Sequence, residues 1–290
     1  MKDFKGKVAF ITGAAGGIGY ALAEALGKRG MKVMIAGINE RNLDTALPQL
    51  RAAGIAAERV QCDVGNRFSV QSAALATIAK FGKVHLVCNN AGVGGSGMIG
   101  EVKPRDWDWV IDVNIKGVVH GTEIFAPLIE SHGEGGHIVN TSSMAGMFSG
   151  AGVEPYAASK YAVVAMSEGW NAQLAAKNIG VSVMCPGFVR TQIYDSDRNK
   201  PASYGGRPAE PKDPGIMKQL VDNGMDPAIL AQRVIEGIED NELYIFTHPE
   251  MKGMIEARFK TILAAMDKAA KSPALKDYKP QDLSALGGPH

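Results

Sequence analysis

The chain has 290 residues, 46% of them hydrophobic and 21% charged, an ordinary globular composition that excludes a disordered, collagen-like or coiled-coil protein. Its 31 Lys and Arg against 30 Asp and Glu leave a net charge of +1 with no long single-sign block, so nothing offers nucleic acid or an anionic membrane an electrostatic footprint. No stretch reaches the ~20 apolar residues that span a bilayer.

Lys2, Lys5 and Lys7 precede an apolar run, but Asp3 breaks the basic end, and Thr12 with four glycines by Gly19 breaks the apolar one. No cleavable leader is expected. From Lys7 to about Thr247, short Val- and Ile-rich runs alternate with longer amphipathic ones. Strands are predicted at 7–12, 32–37, 57–62, 84–88, 137–142, 181–185 and 243–247, most nearly continuous in apolar character, as strands buried on both faces are. Crossover helices are predicted between them, among others at 18–29, 66–80 and 156–177. This alternation predicts an α/β fold, a doubly wound, Rossmann-like parallel sheet of about seven strands with helices on both faces, in a single domain over residues 1–250. Residues 194–215, with four prolines and three glycines, read as an excursion, and residues 251–290 as a helical extension with a polar tail. Cys62, Cys88 and Cys185 have no zinc or CxxC spacing and lie in strand-like runs, which suits small buried hydrophobes in a reducing, cytoplasmic setting.

The first strand runs into Thr12-Gly13-Ala14-Ala15-Gly16-Gly17-Ile18-Gly19, followed by a helix. Backbone amides at the start of that helix suit a pyrophosphate, and glycine lets the phosphate oxygens approach. The spacing is G-x-x-x-G-x-G, and no Lys-Ser/Thr follows to make a P-loop. Further along come Asp63 after the third strand, Asn89-Asn90-Ala91-Gly92 after the fourth, and Asn114 in VNIKG. Then follow Ser143 in NTSSMAG, Tyr156 and Lys160 in YAASK, and Pro186-Gly187-Phe188-Val189-Arg190-Thr191. Tyr156 and Lys160 lie one turn apart on one helix face, with Pro155 suited to the first helical position. A phenol's ordinary pKa near ~10 is too high for a base at neutral pH, and a neighbouring ammonium lowers it. Tyr156 can then exchange a proton with a substrate oxygen. Taken alone, such a pair is commonly only a core-edge contact, and a lone asparagine only a cap.

With these motifs in order, the sequence resembles the one-domain short-chain dehydrogenase/reductase family over about residues 5–250. The resemblance implies an oxidoreductase exchanging hydride between a nicotinamide cofactor and a secondary alcohol or ketone. It implies that Tyr156 is the general acid/base, that Ser143 positions the substrate oxygen, and that Lys160 lowers the tyrosine pKa. Asn114 would serve a proton relay. It further implies a cofactor lining of Gly13, Gly17, Ile18, Gly19, Gly37, Ile38, Arg41, Asp63, Val64, Asn90, Ala91, Gly92, Tyr156, Lys160, Pro186, Gly187, Val189 and Thr191. The substrate would meet Ser143, Tyr156 and Tyr194. Residues 192–215, with Tyr194 and Tyr204, occupy the family's lid position, and 94–100, Met144, Met147 and Phe148 would add apolar wall. The start of the chain, Pro155 and the segment EDNELYIFTHPE are similar to bacterial dehydrogenases of the benzylic alcohol in lignin-type aryl ethers. By family habit the protein would be a homodimer or homotetramer.

Gly37 ends the second strand, where NAD-specific relatives place an acidic residue for the ribose 2′-hydroxyl. The missing carboxylate, with Arg41 nearby, favours NADP(H); Ile38, where an arginine would be usual for NADP, leaves NAD(H) open. His85, His120, His132, His137, His248 and His290 have no metal-ligand spacing, and no metal is expected. Trp107 and Trp109 read as packing residues. A dehydratase or epimerase on the same scaffold, and a nucleotide-sensing protein without turnover, are the alternative readings. Of the 35 glycines, 15 fall in 13–19, 92–100 and 133–152, about the excess over average composition, which outlines one cofactor-and-substrate cleft.

Overall fold

The computed structural model describes residues 1–209 and 215–282. Residues 210–214 of the expected lid, the end of the tail and His290 lie outside the described residues. The β-branched runs form strands and the amphipathic runs helices, in the order β1 (Val8–Thr12), α1 (Gly17–Lys28), β2 (Lys32–Gly37), α2 (Glu40–Ala52), β3 (Ala57–Gln61), α3 (Arg67–Phe81), β4 (Leu86–Asn89), α4 (Pro104–Ile111), α5 (Gly117–Ser131), β5 (Gly136–Thr141), α6 (Glu154–Leu174), β6 (Ile179–Cys185), α7 (Gly215–Asp222), α8 (Pro227–Glu239), β7 (Tyr244–Phe246) and α9 (Lys252–Ala270). All seven expected strands are present, their ends within two residues of the predicted ones. They pair in parallel in the order β3-β2-β1-β4-β5-β6-β7. The order reverses between β1 and β4, the kind of switch point where open α/β sheets hold ligands beyond the strands' carboxyl ends.

Alternation along the strands sends side chains to two cores. Ala9, Ile11, Val33 and Ile35 pack with Leu22, Leu26, Leu43, Val234 and Ile238 from α1, α2 and α8. Phe10, Met34, Val87 and Ile138 pack on the other face with Val70, Phe125 and Ile129 from α3 and α5, the Phe10 and Phe125 rings 4.4 Å apart. Each such large side chain contributes about 1.5–3 kcal/mol on burial. The edge strand β3 is only half-buried, having a neighbour on one side alone.

Pro155 takes the second position of α6 rather than the first, Glu154 preceding it. The amide that proline lacks would be unpaired at either position. Backbone contacts divide the chain after Pro249: Met1–Pro249 holds the whole sheet, and the unit from Glu250 holds α9, none of whose residues is buried. No helix among the described residues is long and apolar enough to cross a membrane.

Candidate active site

The site begins where β1 leaves the sheet. Gly13 and Gly17 have φ of 65° and 54°, a left-handed conformation that glycine adopts without strain. A Cβ on Gly13 would stand 2.9 Å from the Ala91 Cα, and one on Gly17 3.0 Å from Thr191 Cγ2. The glycine turn, the 89–92 turn and the end of the 186–191 segment are therefore packed together. Thr12 Oγ1 fastens the second turn, accepting from the backbone N–H groups of Asn90 (2.9 Å) and Ala91 (3.0 Å), while Asn90 Nδ2 donates to Thr12 O (2.9 Å).

Asn39, Asn66 and Asp226 cap α2, α3 and α8 with their side chains. By contrast, α1 has no side-chain cap and no acidic residue in its first turn. Its free amides and positive dipole end fit the pyrophosphate of a dinucleotide. Ile18 packs on the core beneath this turn. Asp63 Oδ1 accepts from Gly65 N (3.0 Å), and Val64 is buried with its carbonyl bonded to His120 Nδ1 (2.9 Å).

Gly37 is the last residue of β2, as the sequence implied, and no carboxylate stands there. A Cβ on it would only touch Leu43, at 3.6 Å, so a side chain has room. Ile38 is half-buried, its carbonyl accepting from Gln61 Nε2 (3.2 Å). Arg59 engages the nearby acids Glu40 (3.5 Å) and Asp44 (2.6 Å). Arg41, exposed, forms no salt bridge among the described residues.

Four of the expected residues converge after β4 and β5. Lys160 is buried, donates from Nζ to Thr141 O (2.9 Å), and stands 5.5 Å from the centroid of the Tyr156 ring. A Cβ on Gly92 would lie 3.4 Å from both Lys160 Nζ and Asn114 Oδ1, so the absence of a side chain there lets the two approach. Burial holds the Lys160 ammonium down to about 8. Burial likewise pushes the Tyr156 phenol up, and the neighbouring Ser143 hydroxyl opposes the shift. Ser143 Oγ accepts from Ala145 N (3.1 Å) and donates to Pro186 O (3.3 Å), which joins β5 to the 186–191 segment.

Asn114 lies in a single π turn, Asp112–Lys116, between α4 and α5. Such turns recur at functional sites. Its Oδ1 accepts from Val93 N (2.8 Å), and its amide hydrogens go to Val93 O (2.9 Å) and Ser159 Oγ (3.0 Å). The side chain is thus committed to structure.

The expected substrate wall is only partly as read. The 94–100 loop is beside the tyrosine, a Cβ on Gly95 falling 3.4 Å from Pro155 Cβ. Gly94 N donates to Ser196 Oγ (2.8 Å) in the lid segment. Met147 and Phe148 are half-buried, Met144 fully buried. Tyr194 lies against Lys218 of α7, the ammonium 5.5 Å from its ring centroid. Tyr204 is not a free lid residue: its hydroxyl donates to Asp112 Oδ2 (2.6 Å) and its ring packs on the Val93, Trp109 and Val110 cluster. Lys200 reinforces that attachment, pairing with Asp106 and lying 5.2 Å from the Trp109 ring centroid. Trp109 is thereby a packing residue, as expected.

His85, His132 and Glu134 form the one potential metal-ligand group among the described residues, and they sit at the amino ends of β4 and β5, away from this site. Every ring nitrogen there is already hydrogen-bonded, and Lys83 pairs with Glu134. His248, read from sequence as a core or surface residue, is buried against Gly187 and Phe188.

Residues 7–202 match the family profile described as short chain dehydrogenase. The chain belongs to the short-chain dehydrogenases. Within that family it is 37% identical over 273 residues to the CLA biosynthesis dehydrogenase/reductase of Lactiplantibacillus plantarum, covering 91% of this chain and 95% of that protein. It is 34% identical over 290 residues to the C alpha-dehydrogenase of Sphingobium sp. strain SYK-6, covering 99% and 95%. A short-chain dehydrogenase/reductase from Burkholderia phymatum, solved in complex with NAD, superposes with a TM-score of 0.86 at 37% identity, over 98% of this chain and all of that one. This short-chain dehydrogenase binds a nicotinamide cofactor and exchanges hydride with an alcohol or ketone.

Proposed function

We propose that the enzyme interconverts a bulky, largely apolar or aromatic secondary alcohol and its ketone, using NADP(H). The observation that carries the chemistry is the buried Lys160 ammonium beside the Tyr156 ring, with Ser143 on the same phenol. Bound along the glycine turn, the 89–92 turn and the 186–191 segment, the cofactor supplies the hydride donor or acceptor. Tyr156 gives its proton to the ketone oxygen in one direction and takes it from the alcohol in the other. Ser143 holds that oxygen, its hydroxyl hydrogen turning to it from Pro186 O. Lys160, whose ammonium stands 5.5 Å from the centre of the phenol ring, favours the charged form of that phenol as the proton leaves. Asn114 contributes through the backbone of its π turn, because its amide hydrogens are spent.

The half-buried Met147 and Phe148 and the exposed Met98 and Ile99 support a bulky apolar substrate, and the similarity to a C alpha-dehydrogenase is in keeping with it. A panel of secondary alcohols and ketones, followed by nicotinamide absorbance, tests this. Turnover confined to small aliphatic alcohols would refute it.

For the cofactor, the missing carboxylate at Gly37 and the exposed Arg41 support a 2′-phosphate. The NAD complex of the Burkholderia relative supports the second reading, NAD(H). The ratio of kcat/KM for NADPH and NADH decides, and a value below one overturns the first reading. A cytoplasmic setting is in keeping with three free, buried cysteines. A homodimer or homotetramer draws support from exposed Phe259, Ile262, Leu263 and Met266 along α9, and light scattering of the full chain measures it.

A further inference from the structure

We infer that His248 is a positioning residue for hydride transfer, holding the 186–191 segment at the height the cofactor requires. The inference rests on the reading that this segment lines the nicotinamide.

Residues 186–191 form no regular element, so individual hydrogen bonds must fix them. At one end Pro186 O accepts from Ser143 Oγ (3.3 Å) and Met144 N (2.8 Å). At the other, Val189 forms a lone parallel bridge with Met225, and Arg190 N donates to Met225 O (3.0 Å). The Gly187-Phe188 dipeptide is held at both ends, by its first amide and its last carbonyl, by His248, which follows β7 and is only 8% exposed. Gly187 N donates to His248 Nδ1 (3.0 Å), and His248 Nε2 contacts Phe188 O at 3.0 Å. Thr247 Oγ1 also reaches Nδ1, at 2.7 Å. A carbonyl at Nε2 and a backbone N–H at Nδ1 assign the ring as neutral, with its proton on Nε2.

The two bonds are not equivalent. Phe188 O has a second donor in Met225 N (2.9 Å), whereas among the described residues Gly187 N has His248 alone. Because Ser143 is tied to Pro186, a shift at Gly187 reaches both the cofactor wall and the residue that holds the substrate oxygen.

The test compares cofactor Kd, kcat and KM in His248→Leu, His248→Asn, His248→Gln and Thr191→Ala, each measured well below its Tm. An asparagine oxygen takes the place of Nδ1, and a glutamine nitrogen that of Nε2. His248→Leu is expected to weaken cofactor binding about tenfold and lower kcat, His248→Asn to stay within about threefold of wild type, and His248→Gln to resemble leucine. A loss of Tm in His248→Leu with Kd and kcat/KM within twofold of wild type overturns the inference. If Thr191→Ala weakens the cofactor in that case, the fault lies with His248. If it does not, the placement of the segment fails as well. Should the leucine variant not fold, equal cofactor affinity in the asparagine and glutamine variants overturns the inference.

Discussion

Lys160 carries its ammonium in a pocket that strips it of water, and the folded chain binds that proton with a pKa of about 8 against 10.5 for an ordinary lysine. Between those values the unfolded chain holds more protons, so stability climbs as pH rises from about 8 to 10.5, and below 8 the full cost of burial is present. Lys160→Met removes this cost. Net of the lost hydrogen bond to Thr141 O, it is expected to stabilise the fold at pH 7 by about 1–3 kcal/mol while lowering kcat at least ~100-fold. Urea midpoints and initial rates check both halves, and a midpoint that falls counts against the account. Tyr156→Phe keeps the ring and removes only the transferable proton. Cofactor Kd should stay within about twofold, while kcat drops by about 10²–10⁴. Undiminished turnover would remove Tyr156 from the chemistry.

At the scale of elements, cofactor choice lies in the junction between β2 and α2. Gly37 has ordinary backbone geometry and room for a side chain, so Gly37→Asp restores the acceptor for a ribose 2′-hydroxyl and repels a 2′-phosphate. The kcat/KM ratio is expected to move at least ~10-fold towards NADH, with no more than a small change in Tm. An unmoved ratio would mean that the ribose lies elsewhere. This junction was legible before the fold was seen, as were the seven strands, because Val and Ile runs ending in Gly, Asn or Asp are local signals. The π turn was not. It adds one residue to a helical turn, and Asp112-Val113-Asn114-Ile115-Lys116 carries no composition that distinguishes it from α-helix; its asparagine was found through the family resemblance alone. The anchoring of Tyr204 and the backbone contacts of His248 are not legible in the sequence for a related reason. Their partners, Asp112 for one and Gly187 with Phe188 for the other, are distant in sequence, so only packing could reveal them.

For the whole molecule, the response to acid is set partly by His137, which is buried within β5 with Nε2 2.8 Å from Ser182 Oγ. Burial pushes this imidazole down to about 3, so the folded protein refuses a proton that the unfolded chain accepts near 6.5. Stability therefore falls as pH drops below 6.5, at up to about 1.4 kcal/mol per pH unit from this group. Denaturation midpoints at pH 7 and pH 5 in wild type and His137→Gln test it: the substitution should flatten the slope, and an unchanged slope would assign acid sensitivity to other groups.

Thr191 meets Gly17 although β2 through β6 lie between them in sequence. Completing the phosphate cradle therefore needs a contact between residues far apart in sequence, the kind of pairing that slows folding. Partly assembled chains lack a complete cradle, so the dinucleotide binds the finished molecule and draws the folding equilibrium towards it by mass action. Cofactor supply, acting through that one closure, is thereby expected to govern how much of the newly made chain persists as enzyme.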